Sequence, residues 1–176
     1  MTETELYDQC LRDILIAAAH TPNISPAKVQ LRAEIIATAK RCMGFTDSDR
    51  PDIKYRTVAV SEYPDYTVEH QTFDSWPGVK GAANLYVPKS ELPVPWILLC
   101  CGHGNNGKLN PGYQAMAQHL AANGIAVLVP DNIGQGERIP MGHRYAAAPF
   151  HVGLSLQTLI LHEFCAHIKA AENDPR

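Results

Sequence analysis

The sequence predicts an α/β fold: two helices, then antiparallel strands, then a parallel strand–helix–strand unit. Three patterns carry this prediction. Two short, uninterrupted apolar runs, Trp96 to Cys101 and Ile125 to Val129, have the length and character of strands buried on both faces. Between them, Asn110-Pro111 opens a helical pattern that Gly124 closes. That makes a βαβ unit, whose crossover is right-handed in roughly 98% of cases. Upstream, Lys54 to Val60, Tyr66 to Phe73 and Ala82 to Val87 carry β-branched or aromatic residues in partial alternation, as half-buried antiparallel strands do.

The elements follow in order. Thr2 and Glu5 make a capping box, and Leu6, Cys10, Leu11, Ile14, Leu15 and Ala18 then share one helical face, predicting a helix from Glu3 to Ala19. Ser25 as N-cap, with Pro26 at the first helical position, opens a second helix that turns Val29, Ala33, Ile36 and Ala37 inward and stops at Gly44. Residues 1–46 are therefore a helical arm. A polar turn from Asp47 to Pro51 leads into the strands, two of which Trp76-Pro77-Gly78 joins. Pro88, Pro93 and Pro95 break the chain before Trp96. After Val129, a polar loop from Asp131 to Gly142 leads through Pro149 to a mostly apolar helix, Leu154 to Glu172. Residues 52–176 form the α/β domain.

Bulk properties exclude several classes. With 45% hydrophobic and 19% charged residues, the 176-residue chain has the composition of an ordinary globular protein. A net charge of −3, with Lys and Arg scattered, provides no basic field for nucleic acid. No segment approaches the ~20 apolar residues of a membrane span, and the acidic N-terminus is not a signal peptide. Five cysteines, odd in number and without CxxC spacing, read as small buried apolar residues, so a cytoplasmic location is expected.

The richest segment is Trp96 to Lys108, an apolar strand that ends in a glycine loop. Gly102, Gly104 and Gly107 spell GxGxxG, and Asp131 closes the next strand where a ribose-binding acid could stand. In that motif the helix begins inside the loop so that its N–H groups meet the pyrophosphate, whereas here it begins only at Asn110-Pro111. Gly102, Gly107 and Lys108 have P-loop spacing, but Leu109 occupies the position of the Mg²⁺-binding hydroxyl. A small nucleotide-binding module using Gly102–Lys108 is nevertheless the competing reading.

His162 and His167 resemble a zincin pair with one residue too many. Five positions apart on a helix they lie about 140° apart on the wheel, which suits a half-exposed surface pair better than one zinc. Gly153-Leu154-Ser155-Leu156-Gln157 approaches GxSxG, but Gln157 replaces the second glycine and no strand precedes it, so Ser155 reads as a first-turn helix residue. Ser25, Ser48, Ser61, Ser75 and Ser90 lie in caps, turns or strands with no nucleophile context. Cys100 and Cys101 read as strand core.

CGHGNNGK (Cys101 to Lys108), YQAMAQHLAANGIAVLVPD (Tyr113 to Asp131) and DNIGQGER (Asp131 to Arg138) together resemble bacterial α/β-hydrolases of the acetyl xylan esterase and dienelactone hydrolase-like group. The resemblance covers about Thr67 to Arg176. It implies the N-terminal part of an α/β-hydrolase fold, with antiparallel N-terminal strands on a mostly parallel sheet, and ester hydrolysis by a Ser-Asp/Glu-His mechanism on a small-molecule ester. It implies neither cofactor nor metal. The nucleophile elbow, the acid and the histidine would all lie beyond Arg176. Only an oxyanion contribution carries over, to the backbone of His103, Gly104 and Asn105. Glu137 and Arg138 map beside the family's site, where an ion pair bracing the turn is the simplest role.

Overall fold

The computed structural model describes residues 27–46, 51–91, 93–142 and 148–175. The expected helix Glu3–Ala19 and most of the turn after Thr46 lie outside the described residues. Helix α1, Ala27–Met43, ends where predicted, at Gly44, whose φ of +67° suits a helix stop. Its expected inward face is not buried: Ile36 is 46% exposed, and Ala33 and Ala37 are also exposed. Helical spacing of apolar residues marks a face of the helix without fixing what that face packs on.

The rest is a five-stranded sheet between helices. The strands are β1 (Lys54–Glu62), β2 (Tyr66–Asp74), β3 (Lys80–Pro88), β4 (Trp96–Leu98) and β5 (Ala126–Pro130), in the order β1-β2-β3-β5-β4. The first three form an antiparallel meander, and β3 pairs antiparallel with β5. The parallel pair is β4 with β5, joined by α2 (Pro111–Ala122) as the βαβ pattern requires. The predicted Trp76-Pro77-Gly78 connection is a tight turn between β2 and β3, closed by Val79 N–H to Trp76 O at 2.8 Å. A last helix, α3 (Leu156–Glu172), follows the long loop after β5.

Alternation across β5 explains the layers. Val127 and Val129 face one side with Tyr66, Val68 and Tyr86, packed on Ala117 and Ala121 of α2. Leu128 faces the other with Phe73, Leu85 and Ala166 of α3. Ala117 and Ala121, one turn apart and fully buried, let α2 approach the sheet closely. Each fully buried Val or Leu contributes about 1.5–3 kcal/mol.

Burial on both faces holds for β5, not for β4. The β4 ladder stops at Leu98↔Leu128 instead of running to Cys101, Ile97 is 36% exposed, and Cys100 is exposed. The physical reason is position, because among the described residues β4 is an edge strand with a neighbour on one side only. Cys101 is buried as expected, whereas Cys42 is exposed and Cys165 half-buried.

Candidate functional site

Beyond β4 the chain turns through the glycine loop and a single 3-10 turn, Gly107–Leu109, before α2 begins at Pro111. Asn110 is the N-cap: its side-chain oxygen accepts the N–H of Gly112 at 2.9 Å. The helix therefore starts after the loop has closed, as the sequence indicated. His103, Gly104 and Asn105 are all exposed at its crest. Gly102 N–H donates to the Tyr113 hydroxyl at 2.7 Å, and a Cβ there would crowd that oxygen. A Cβ at Gly104 would meet no atom within 4 Å, so Gly104 faces open space.

The loop closes on a carboxylate. Asp131, at the end of β5, has a side chain with 0% exposure. It accepts Lys108 N–H at 2.7 Å, the Lys108 ammonium at 2.6 Å and Glu137 N–H at 3.0 Å. Lys108, 3% exposed, also meets Glu137 Oε1 at 2.5 Å. Gly136 N–H donates to Asn105 O at 3.0 Å, and Asn132 Nδ2 donates to Cys101 O at 2.8 Å, stitching the Cys101–Lys108 and Asp131–Arg138 loops together. Asn132 Oδ1 and Gln135 Oε1 are buried without a hydrogen-bond partner among the described residues.

A second brace comes from α3. Arg138, 2% exposed, donates from Nη1 and Nη2 to the two carboxylate oxygens of Glu163, both at 2.8 Å, and from Nη1 to Asp131 O at 3.0 Å. Ser75 also donates to Glu163. Glu137 and Arg138 do brace the turn, but through Lys108 and Glu163 rather than each other. Sequence reading missed these partners, which lie 29 and 25 residues away.

His162 and His167 are not a surface pair; both are buried. His162 Nε2 meets Thr46 O at 2.9 Å, and its ring lies 4.3 Å from Phe45. His167 is hydrogen-bonded to the Tyr55 hydroxyl and lies edge-on to Phe73. Burial, reinforced by Arg138, pushes its pKa down to about 3, so the ring is neutral. Burial also raises the Tyr55 phenol. The 140° between the two histidines points them at different partners. Among the described residues, no cluster of three His, Cys, Asp or Glu side chains could hold a metal.

Among the described residues, none of the sequence-level nucleophile candidates is brought to the loop. Ser155 is the N-cap of α3, in a reciprocal capping box with Thr158 rather than in its first turn. Burial, then the charge of Asp131, pushes the Cys101 thiol up to about 12, far from a reactive thiolate. Ser61 does have a context that sequence reading did not find. Its hydroxyl lies 2.9 Å from His70 Nε2, and His70 Nδ1 lies 3.1 Å from Asn84 Oδ1, a relay across β1, β2 and β3. Register explains the miss, since it sets His70 opposite Asn84 and Ala59, two residues from Ser61. The relay begins on the edge of the sheet opposite β4, remote from the glycine loop.

Among the described residues, no helix is long and apolar enough to cross a membrane. No protein-family model matches the sequence, and no curated protein does. Solved structures are similar in fold. A Bacteroides fragilis protein assigned as an acetyl xylan esterase superposes with a TM-score of 0.66 at 18% identity, over 87% of this chain and 46% of that one. Acetyl xylan esterase 1 from Thermoanaerobacterium gives 0.55 at 18% identity, over 77% and 44%. A cold-adapted esterase from an Arctic intertidal metagenomic library gives 0.53 at 14% identity, over 69% and 51%. The chain has an esterase-like α/β fold and spans about half the length of these proteins.

Proposed function

We propose that the chain is the oxyanion-bearing part of a carboxylic-ester hydrolase of acetyl-esterase type, working on a small-molecule ester by a Ser-Asp/Glu-His mechanism. The residues 52–176 are its hydrolase part and residues 1–46 an arm. Backbone N–H groups at His103, Gly104 and Asn105 hold the negative charge that develops on the ester carbonyl oxygen, as preorganised dipoles that need not reorient during reaction.

The observation that carries this reading is the exposed Gly104, on a loop anchored from beneath by Asp131. A glycine that neither packs against its own chain nor adopts a positive φ leaves room for a substrate oxygen. The nucleophile then belongs on a strand laid parallel along the open edge of β4. Support for this comes from the edge position of β4 and the exposure of Ile97 on it. Lys108 speaks against the nucleotide reading, because its ammonium lies between two carboxylates and offers a phosphate no free charge.

Among the described residues no serine stands at a nucleophile elbow, and loss of a triad removes about 10⁶-fold of the rate, so the chain alone is expected to be inactive. Purified chain should release no nitrophenol from nitrophenyl acetate above buffer, and should take up no fluorophosphonate. Titration with ATP and NADH should give no heat of binding. Turnover that a fluorophosphonate abolishes overturns the inactivity, and saturable nucleotide binding overturns the ester reading.

A further inference from the structure

We infer that Asp131 is the positioning residue of the glycine loop: the loop is an anion cradle, and the anion it was folded around is this chain's own buried carboxylate. What the positioned loop does rests on the esterase reading; that Asp131 positions it does not.

The loop's letters match one phosphate-binding motif and approach a second, and the geometry explains why. A phosphate cradle needs backbone N–H groups, a lysine ammonium and glycines that let the anion come close. Lys108 N–H, Glu137 N–H and the Lys108 ammonium all converge on Asp131, at 2.6–3.0 Å. The glycines fit the same role. A Cβ on Gly107 or on Gly136 would run into the Asp131 carboxylate, and both residues hold positive φ, +50° and +53°. Thus the third glycine of the apparent fingerprint, and the second of the Gly134-Gln135-Gly136 turn, make room for one side chain.

Asp131 is itself held at every backbone group that bears on the site. Its N–H donates to Ala82 O at 2.9 Å, extending the β3–β5 ladder, and its carbonyl accepts from Arg138. Within the loop, the bond from Gly107 N–H to Gly104 O is long, at 3.4 Å, and the shorter ones, Leu109 N–H to Asn106 O at 2.9 Å and Asn110 N–H to Gly107 O at 3.1 Å, lie on the Lys108 side that Asp131 holds. The carboxylate therefore transmits the rigidity of the sheet to the crest at His103, Gly104 and Asn105. Asp131 touches no substrate in this arrangement and acts through the loop.

The test is amide hydrogen exchange along the whole chain, in wild type and in Asp131→Ala. The variant should exchange at least about tenfold faster over residues 102–109 and 136–138, with β1, β2 and β3 unchanged. Sodium formate should restore protection by supplying the missing anion, whereas sodium chloride at equal ionic strength should not. Unchanged loop exchange overturns the inference, as does acceleration spread evenly over the sheet or an equal response to formate and chloride. Should Asp131→Ala fail to fold, Asp131→Asn keeps the shape and one acceptor oxygen while losing the charge, and its loop exchange is read the same way. The readout is independent of turnover, so failure of the esterase reading leaves it standing, and its own failure leaves the esterase assays untouched.

Discussion

Arg138 and Glu163 meet as a buried, two-pronged ion pair, each guanidinium Nη 2.8 Å from a carboxylate oxygen, with the two side chains 2% and 3% exposed. The pair ties the loop after β5 to α3. It also completes a chain of contacts from Glu163 through Arg138 and Asp131 to Lys108.

Removing one partner of such a pair leaves the other charge buried and uncompensated, which costs about 3–5 kcal/mol. Glu163→Ala is expected to lose that much stability in urea unfolding, because Arg138 has no solvent to retreat to. Glu163→Gln, which keeps an acceptor, should lose less. A loss below about 1 kcal/mol for Glu163→Ala would mean that Arg138 finds a replacement acceptor.

His167 sets a pH dependence. Its folded pKa of about 3 lies below the ordinary 6.5, so the unfolded chain binds a proton that the folded chain refuses. Stability from this group is complete above the ordinary value and is lost as pH falls toward the folded one. The slope approaches about 1.4 kcal/mol per pH unit. His167→Gln should flatten the acid limb of the stability profile between pH 6.5 and 3 relative to wild type. Parallel profiles for the two proteins would refute the assignment.

The β4 edge predicts self-association. Ile97 sits in the middle of a strand with a free edge, so purified chain should sediment as concentration-dependent oligomers. Ile97→Lys places a charge on that edge and should shift the distribution toward monomer. A wild-type chain that sediments as one sharp monomer at every concentration would show that the edge is not sticky.

Much of the fold was legible because its signals are local. The Asn110-Pro111 start of α2, the stops at Gly44 and Gly124, the turn at Trp76-Pro77-Gly78 and the apolar run of β5 each depend on residues within a few positions of one another. The glycine loop was also found, with His103, Gly104 and Asn105 at its exposed crest. Its organiser was not, because locally Asp131 is an acid that closes a strand and Lys108 a cation that ends a glycine loop, and their pairing spans 23 residues.

By itself, then, the sequence determined the order and type of the elements, because backbone preferences, caps and periodicity act over one or two turns of chain. Tertiary structure alone decided which face of each element is covered and which charge meets which. It buried His162 and His167, exposed Ile36 and Cys100, left β4 on an edge, and brought Lys108 to Asp131 across 23 residues and Tyr55 to His167 across 112. The physical reason is that burial and ion pairing belong to the space between elements, and only packing brings distant residues into that space.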